Sequence, residues 1–190
     1  LIKDLTGYNL VSIGDGMKID QERYKNYAAS YNSFDPSKGR HTRGYEGLCA
    51  TNGHGIDMIG GFFSNGSHGD SHILNWLLTH NYKNINSIYD VKTDIFALDR
   101  GFKFLLTHII YFILLPSLSK IKPIPCFYAN CSRILTYVRW IIEGFFARFK
   151  NRWNVCKYRI IAAEKKYIDS VIQIIGAVEN FLYPNGWVKP

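Results

Sequence analysis

Arg133-Ile-Leu-Thr-Tyr-Val-Arg-Trp-Ile-Ile-Glu-Gly-Phe-Phe-Ala-Arg-Phe-Lys150 carries the strongest periodic signal in the chain. Leu135, Val138, Ile142, Phe145 and Phe149 recur at spacings of three, four, three and four, the buried stripe of an amphipathic helix. At roughly 3.6 residues per turn the segment makes about five turns. Glu143 stands one position past Ile142, at the edge of the stripe, with Arg139 one turn before it and Lys150 further along. Such an acid is solvated, paired with Arg139 or Lys150, or turned toward something it binds, and the stretch alone leaves these open.

Working outward from this helix, residues 164–182 read as a last helix burying Tyr167, Ile168, Val171, Ile174, Ile175 and Val178, stopped by Tyr183-Pro184-Asn185-Gly186. Upstream, residues 8–14 form an apolar strand that ends at Asp15-Gly16. Residues 20–40 are polar and read as a loop or irregular hairpin. Residues 42–51 and 56–63 flank Asn52-Gly53-His54-Gly55, an Asn-Gly hairpin signal. Asp70 is placed to cap a helix whose apolar face is Ile73, Leu74, Leu77 and Leu78. Residues 94–98 read as a buried strand ending at Asp99, and residues 102–115 as a short helix followed by a strand. Strands alternating with helices in this order predict one mixed α/β domain with a helix-covered sheet.

Length and charge set the bounds. A chain of 190 residues, 47% hydrophobic and 20% charged, has enough apolar content for one well-cored domain. Its net charge of +8 favours a polyanionic partner, with nucleic acid ahead of an acidic membrane face. Cys49, Cys126, Cys131 and Cys156 form no CxxC pair, which argues against a zinc knuckle and for reduced thiols. The first residues lack a signal-peptide layout, and the start at Leu1 suggests a fragment. The longest apolar stretch is interrupted by Lys103, His108 and Pro116, so a membrane span is not expected.

Two acids directly follow apolar strands, Asp15 and Asp99, each close to a glycine that admits backbone or substrate. Neighbouring strands of one sheet bring such carboxylates toward a shared ion, and Glu143 is the third candidate. Hard divalent cations prefer carboxylate oxygens, and two of them serve phosphodiester chemistry. Taken singly, a strand-end aspartate more often shapes a turn, and a helical glutamate more often stays solvated.

The residues around these acids resemble the DDE superfamily endonuclease domain of PIF/Harbinger transposases and nucleases derived from them. Tyr128-Ala-Asn-Cys-Ser-Arg133, Thr136-Tyr-Val-Arg-Trp-Ile-Ile-Glu143 and Arg148-Phe-Lys150 are similar to the family's AN-x-SR, T-x-x-RW-x-x-E and R-x-K signature. Asp99-Arg100-Gly101-Phe102 matches its DRGF element, and Gly14-Asp15-Gly16 its DGT element, with Met17 where the family has threonine. Lys38-Gly39-Arg40-His41, Gly60-Gly61-Phe62-Phe63 and Asp70-Ser71-His72-Ile73-Leu74 also fit, so the likeness runs from about residue 12 to residue 184.

The resemblance implies an RNase H-like fold: a five-stranded mixed sheet flanked by helices, with Asp15 on the first strand, Asp99 after the fourth and Glu143 on a late helix. It implies catalysis by these three acids through two Mg²⁺ or Mn²⁺ ions, cutting or transferring DNA strands. Lys38, Arg40, His41, Arg139 and Lys150 are candidates for phosphate contact, or else solvated and balancing charges. Trp140 is expected to pack rather than stack on bases, and Asp70 is left outside the metal site as a helix cap. The expected partners are DNA, a separate DNA-binding protein and a second copy of the chain, with no membrane, in a nuclear setting that leaves room for the cytoplasm. A single catalytic domain without its own DNA-reading module is expected. Met17 and Cys131 depart from the family pattern, which keeps a rival reading alive: a domesticated scaffold that holds the fold without cutting.

Overall fold

The computed structural model describes residues 10–63, 69–80, 94–99, 102, 111–114, 125–161 and 164–184. Strand β1 (Leu10–Asp20) is followed by α1 (Tyr27–Ser33), the two-residue β2 (Phe34–Asp35), β3 (Arg40–Ala50) and β4 (Gly55–Phe63). Then come α2 (Asp70–Thr79), β5 (Asp94–Leu98), β6 (Tyr111–Leu114), α3 (Cys126–Arg152), α4 (Asn154–Lys157) and α5 (Ile168–Leu182). Both β2 and β4 pair with β3, and the sheet continues through β1 and β5 to β6. The β4-β3-β1 pairings are antiparallel and the β1-β5-β6 pairings parallel, so the five longer strands make a mixed sheet.

Side-chain alternation along β1 sets the layers. Ile13, Met17 and Ile19 face a core shared with Val138, Ile142, Phe145 and Phe149 of α3 and Ile168, Ile172 and Ile175 of α5. The opposite face carries Gly14, Gly16 and Lys18, and it meets a second core of Leu48, Ile59, Phe96 and Leu98 under Ile73, Leu74 and Leu77 of α2. Helices therefore flank the sheet on both faces. Tyr45 of β3 donates its hydroxyl to Asp169 Oδ1 of α5 at 2.8 Å, tying the last helix to the sheet.

The hairpin, the α2 face and β5 form where the pattern predicts, and the helix expected over residues 133–150 lies within the longer α3, which begins at Cys126. At the hairpin Gly53 has φ 86°, a left-handed value that glycine adopts freely, and Asn52 Oδ1 accepts the His54 N–H at 3.0 Å. Three expectations are corrected. β1 does not stop before Asp15; antiparallel pairing to β3 carries it on to Asp20. Residues 20–40 contain α1, which Asn26 caps through Ala29 N–H at 3.1 Å; it buries Ser30 and Ser33 and exposes Tyr27 and Tyr31, so no apolar stripe marks it. The buried face of α5 is Ile168, Ile172, Ile175 and Glu179, whereas Tyr167, Val171 and Ile174 are exposed. The helix expected after residue 102 lies outside the described residues, as does the side chain of Leu135; the strand expected before Pro116 is β6. Among the described residues, no helix is long and apolar enough to cross a membrane.

Candidate active site

Asp15 lies mid-way along β1 on the α3 face, between Ile13 and Met17. β5 runs parallel beside β1 with Ala97 level with Ile13, so Asp99, two residues on, comes level with Asp15. α3 crosses this face with Arg139 directed at the sheet. One guanidinium nitrogen, Arg139 Nη2, lies 3.2 Å from Asp15 Oδ2, 3.9 Å from Asp99 Oδ2 and 3.9 Å from Glu143 Oε1. The three expected acids, far apart in sequence, thus meet around a single positive point.

Burial pushes the Asp15 carboxyl above its usual range; Arg139 and the Gly16 N–H, which donates to Oδ1 at 2.9 Å, pull it back, and Asp99 pushes it up again. Glu143 is the most exposed of the three, at 47% of its side chain. Hard carboxylate donors converging from two strands and a helix fit a hard divalent cation. With the guanidinium among them, no three His, Cys, Asp or Glu side chains of the described residues form a ready metal shell. Arg139 is the cation that the acids hold as they stand.

The remaining basic candidates are not gathered here. His41 sits six residues along β3 from Gly47, the partner of Asp15, which at about 3.3 Å per residue is roughly 20 Å away. Its Nδ1 is 2.9 Å from Ser33 Oγ and its ring packs edge-on to Phe34. Burial, with Arg23, Lys165 and Arg159 nearby, lowers its pKa. Arg40 pairs with Asp20 at 3.0 Å, and Lys38 is exposed in the turn before β3. Lys150 is exposed on α3, two turns past Glu143. Trp140, expected to pack, is 64% exposed, because α3 turns Val138 and Ile142 to the core and residue 140 away from it.

Two further acids take positions that the sequence does not predict: Asp70, expected as a helix cap, and Glu46. The residue capping α2 is Gly69, with no side-chain cap bond, so the reason for setting Asp70 aside does not hold. Its carboxylate instead packs on Gly16: a Cβ there would stand 2.6 Å from Asp70 Oδ1. Glu46 lies opposite Gly16 in the β1-β3 register and is completely buried. Its signal was present in the sequence, an acid inside the otherwise apolar run Tyr45-Glu46-Gly47-Leu48-Cys49, which a buried strand does not otherwise contain.

Fold and acids together define a mixed α/β domain with an anionic centre in its sheet, inside a chain of net charge +8. The chain belongs to the DDE superfamily endonucleases: the model of that family matches residues 14–180, from β1 into α5. No curated protein and no solved structure matches it. Membership places the domain in a nuclease and transposase class whose members in general use divalent metal ions.

Proposed function

We propose that this chain is the catalytic core of a metal-dependent DNA endonuclease or transposase of the PIF/Harbinger branch, on an RNase H-like fold, with Asp15, Asp99 and Glu143 as its metal-binding acids. The observation that carries the reading is the meeting of these three carboxylates within 4 Å of Arg139 Nη2. The strand order supports the fold: Asp15 on the first strand, Asp99 after the parallel strand beside it, and Glu143 on a late helix across one face.

Asp15, Asp99 and Glu143 would hold two Mg²⁺ or Mn²⁺ ions. When bound, these supply Lewis acidity toward a phosphodiester. The Gly16 N–H fixes Asp15 Oδ1 and leaves Oδ2 free to turn from Arg139 to a cation. Glu143, on the exposed edge, closes the site from the helix side. Arg139, once displaced from the acids, presents a planar fork suited to a backbone phosphate. The charge of +8 favours DNA as the substrate, and we extend the proposal to a separate DNA-binding partner, self-association and a nuclear site of action.

The test is nicking of plasmid DNA with Mg²⁺ or Mn²⁺. Activity that survives Asp99→Ala and Glu143→Ala unchanged would end this reading. A second reading, a scaffold that keeps the fold without cutting, draws on the same Arg139, because acids neutralised by an internal cation can stand without metal. Calorimetric titration separates the two: the scaffold takes up no divalent ion at Asp15, Asp99 and Glu143 yet still binds DNA.

A further inference from the structure

The face of β1 turned away from the proposed active site carries its own acids. Gly14 and Gly16 expose bare backbone there, and Glu46 and Asp70 close over it from β3 and from the first turn of α2. A Cβ on Gly14 would lie 3.5 Å from Glu46 Oε1, and one on Gly16 would lie 2.6 Å from Asp70 Oδ1. A side chain on Gly16 would displace the Asp70 carboxylate, and Glu46 Oε1 lies at ordinary contact distance from the Gly14 position, so both acids lie against this bare stretch of β1. Glu46 is 0% exposed, and among the described residues neither of its carboxylate oxygens has a hydrogen-bond partner. Among the described residues nothing bonds or ion-pairs with Asp70. The cation on the same face, Lys18, is committed elsewhere, with Nζ 2.8 Å from Asp35 Oδ2.

A fully buried carboxylate with no donor is a large unfavourable term unless a proton or a cation meets it. We propose that Glu46 and Asp70 form a second divalent-cation site, on the α2 face of β1 and separate from Asp15, Asp99 and Glu143. Two carboxylates are the usual protein contribution to a Mg²⁺-type ion, which keeps several of its waters. Asp70, half-buried at the rim, gives the ion a way in, and Glu46 is the inner ligand. Burial pushes both carboxyls upward and acid neighbours raise each further: Asp70, Asp15 and Asp99 act on Glu46, and Asp99 and Asp35 on Asp70, which Lys18 partly offsets. A cation relieves this mutual repulsion at a single point.

The test is Mn²⁺ titration of the full chain, followed by the spin-resonance signal of the free ion, in a D15N/D99N/E143Q background. The proposal expects one bound Mn²⁺ in that background, with affinity falling at least about tenfold when E46Q or D70N is added. Mn²⁺ should also raise the melting temperature of the background and leave it unmoved once E46Q is present. A background that binds no Mn²⁺, or an E46Q affinity within about twofold of it, would mean that Glu46 holds only a proton, and the proposal falls. Should E46Q fail to fold, D70N at the rim decides on the same thresholds. Because the acids of the proposed active site are neutralised throughout, failure of the endonuclease reading leaves this result untouched.

Discussion

Two glutamates of this domain are almost equally buried and could hardly be treated more differently. Glu179 of α5 is 1% exposed and accepts the Trp153 indole N–H at 2.8 Å, with Arg148 Nε at 3.5 Å and Arg152 Nη1 at 3.9 Å. Glu46 of β3 is 0% exposed and has no hydrogen-bond partner among the described residues. Removing a carboxylate from water costs several kcal/mol, which nearby positive charge has to offset. The end of α3 supplies that charge to Glu179 and so clamps α5 to α3. Nothing described does so for Glu46, since Arg139 serves the other face of the sheet and Lys18 serves Asp35. A buried acid given a cation by the chain holds the fold together; one left without is available to a ligand.

The largest effect expected from this contrast is on stability. Glu179→Ala removes the buried acid that Arg148 meets from the core side and Arg152 from the exposed side, and should cost about 3–5 kcal/mol by urea unfolding. Glu46→Leu, in chelator, should cost nothing or stabilise, because it removes an unpartnered buried acid. Equal losses from the two variants would mean that Glu46 has an internal partner, and the contrast would collapse.

Next in size is activity. Asp99→Asn and Glu143→Gln should each lower Mg²⁺-dependent nicking by at least about a hundredfold, close to 2.7 kcal/mol of barrier. Each is partly exposed and meets Arg139 only at 3.9 Å, unlike the fully buried Glu179, so their unfolding free energies should stay within about 0.5 kcal/mol of the parent. A variant that loses activity and stability together would move its acid from the binding class to the clamping class.

How much of this could be read beforehand follows from what local pattern encodes. Val138, Ile142, Phe145 and Phe149 announced α3 because a helix buries every third or fourth residue, and Asn52-Gly53 announced its hairpin because few other pairs adopt that turn. The acids Asp15, Asp99 and Glu143 could be picked out by motif, but their meeting could not. It depends on β1 lying between β3 and β5, a pairing between segments about 80 residues apart in the chain. Asp70 was misread because an aspartate before an apolar helix is locally a cap; only the packing of α2 on the sheet turns it toward Gly16. In α5 the stripe was displaced by one position. Apolar spacing misses the true face because its inward residue Glu179 is charged.

Arg139 gives a smaller effect that refines the contrast on its other side. It is the cation that makes the Asp15 group resemble Glu179 rather than Glu46. Arg139→Gln should therefore strengthen Mn²⁺ binding at Asp15, Asp99 and Glu143 by about tenfold in the absence of DNA, roughly 1.4 kcal/mol. DNA affinity should fall, since a phosphate-binding fork is lost. Unchanged Mn²⁺ affinity would show that the guanidinium does not compete with metal and only positions the acids.

The smallest expected effect concerns Lys18, which shares the face of β1 with Glu46 and only partly offsets the charge on Asp70. Burial pushes Asp35 upward, but the bonds from Lys18 at 2.8 Å and from the Ser37 hydroxyl and N–H at 2.6 and 2.9 Å outweigh this, so its carboxyl lies below the usual range. A folded pKa below the unfolded one means stabilisation that is complete above about pH 4 and lost as the pH falls through the folded value. Asp35→Asn should cost about 1 kcal/mol at pH 7, a modest figure because Lys18 is partly solvated, and the difference should close as the pH is lowered toward 2. A gap that persists in acid would assign the contribution to shape rather than charge. The same substitution frees the Lys18 ammonium to swing along β1 to Asp70, where it should weaken Mn²⁺ binding at Glu46 and Asp70 by about threefold. No weakening would mean that Lys18 cannot reach, and that distance rather than prior commitment to Asp35 is what leaves Glu46 without a cation.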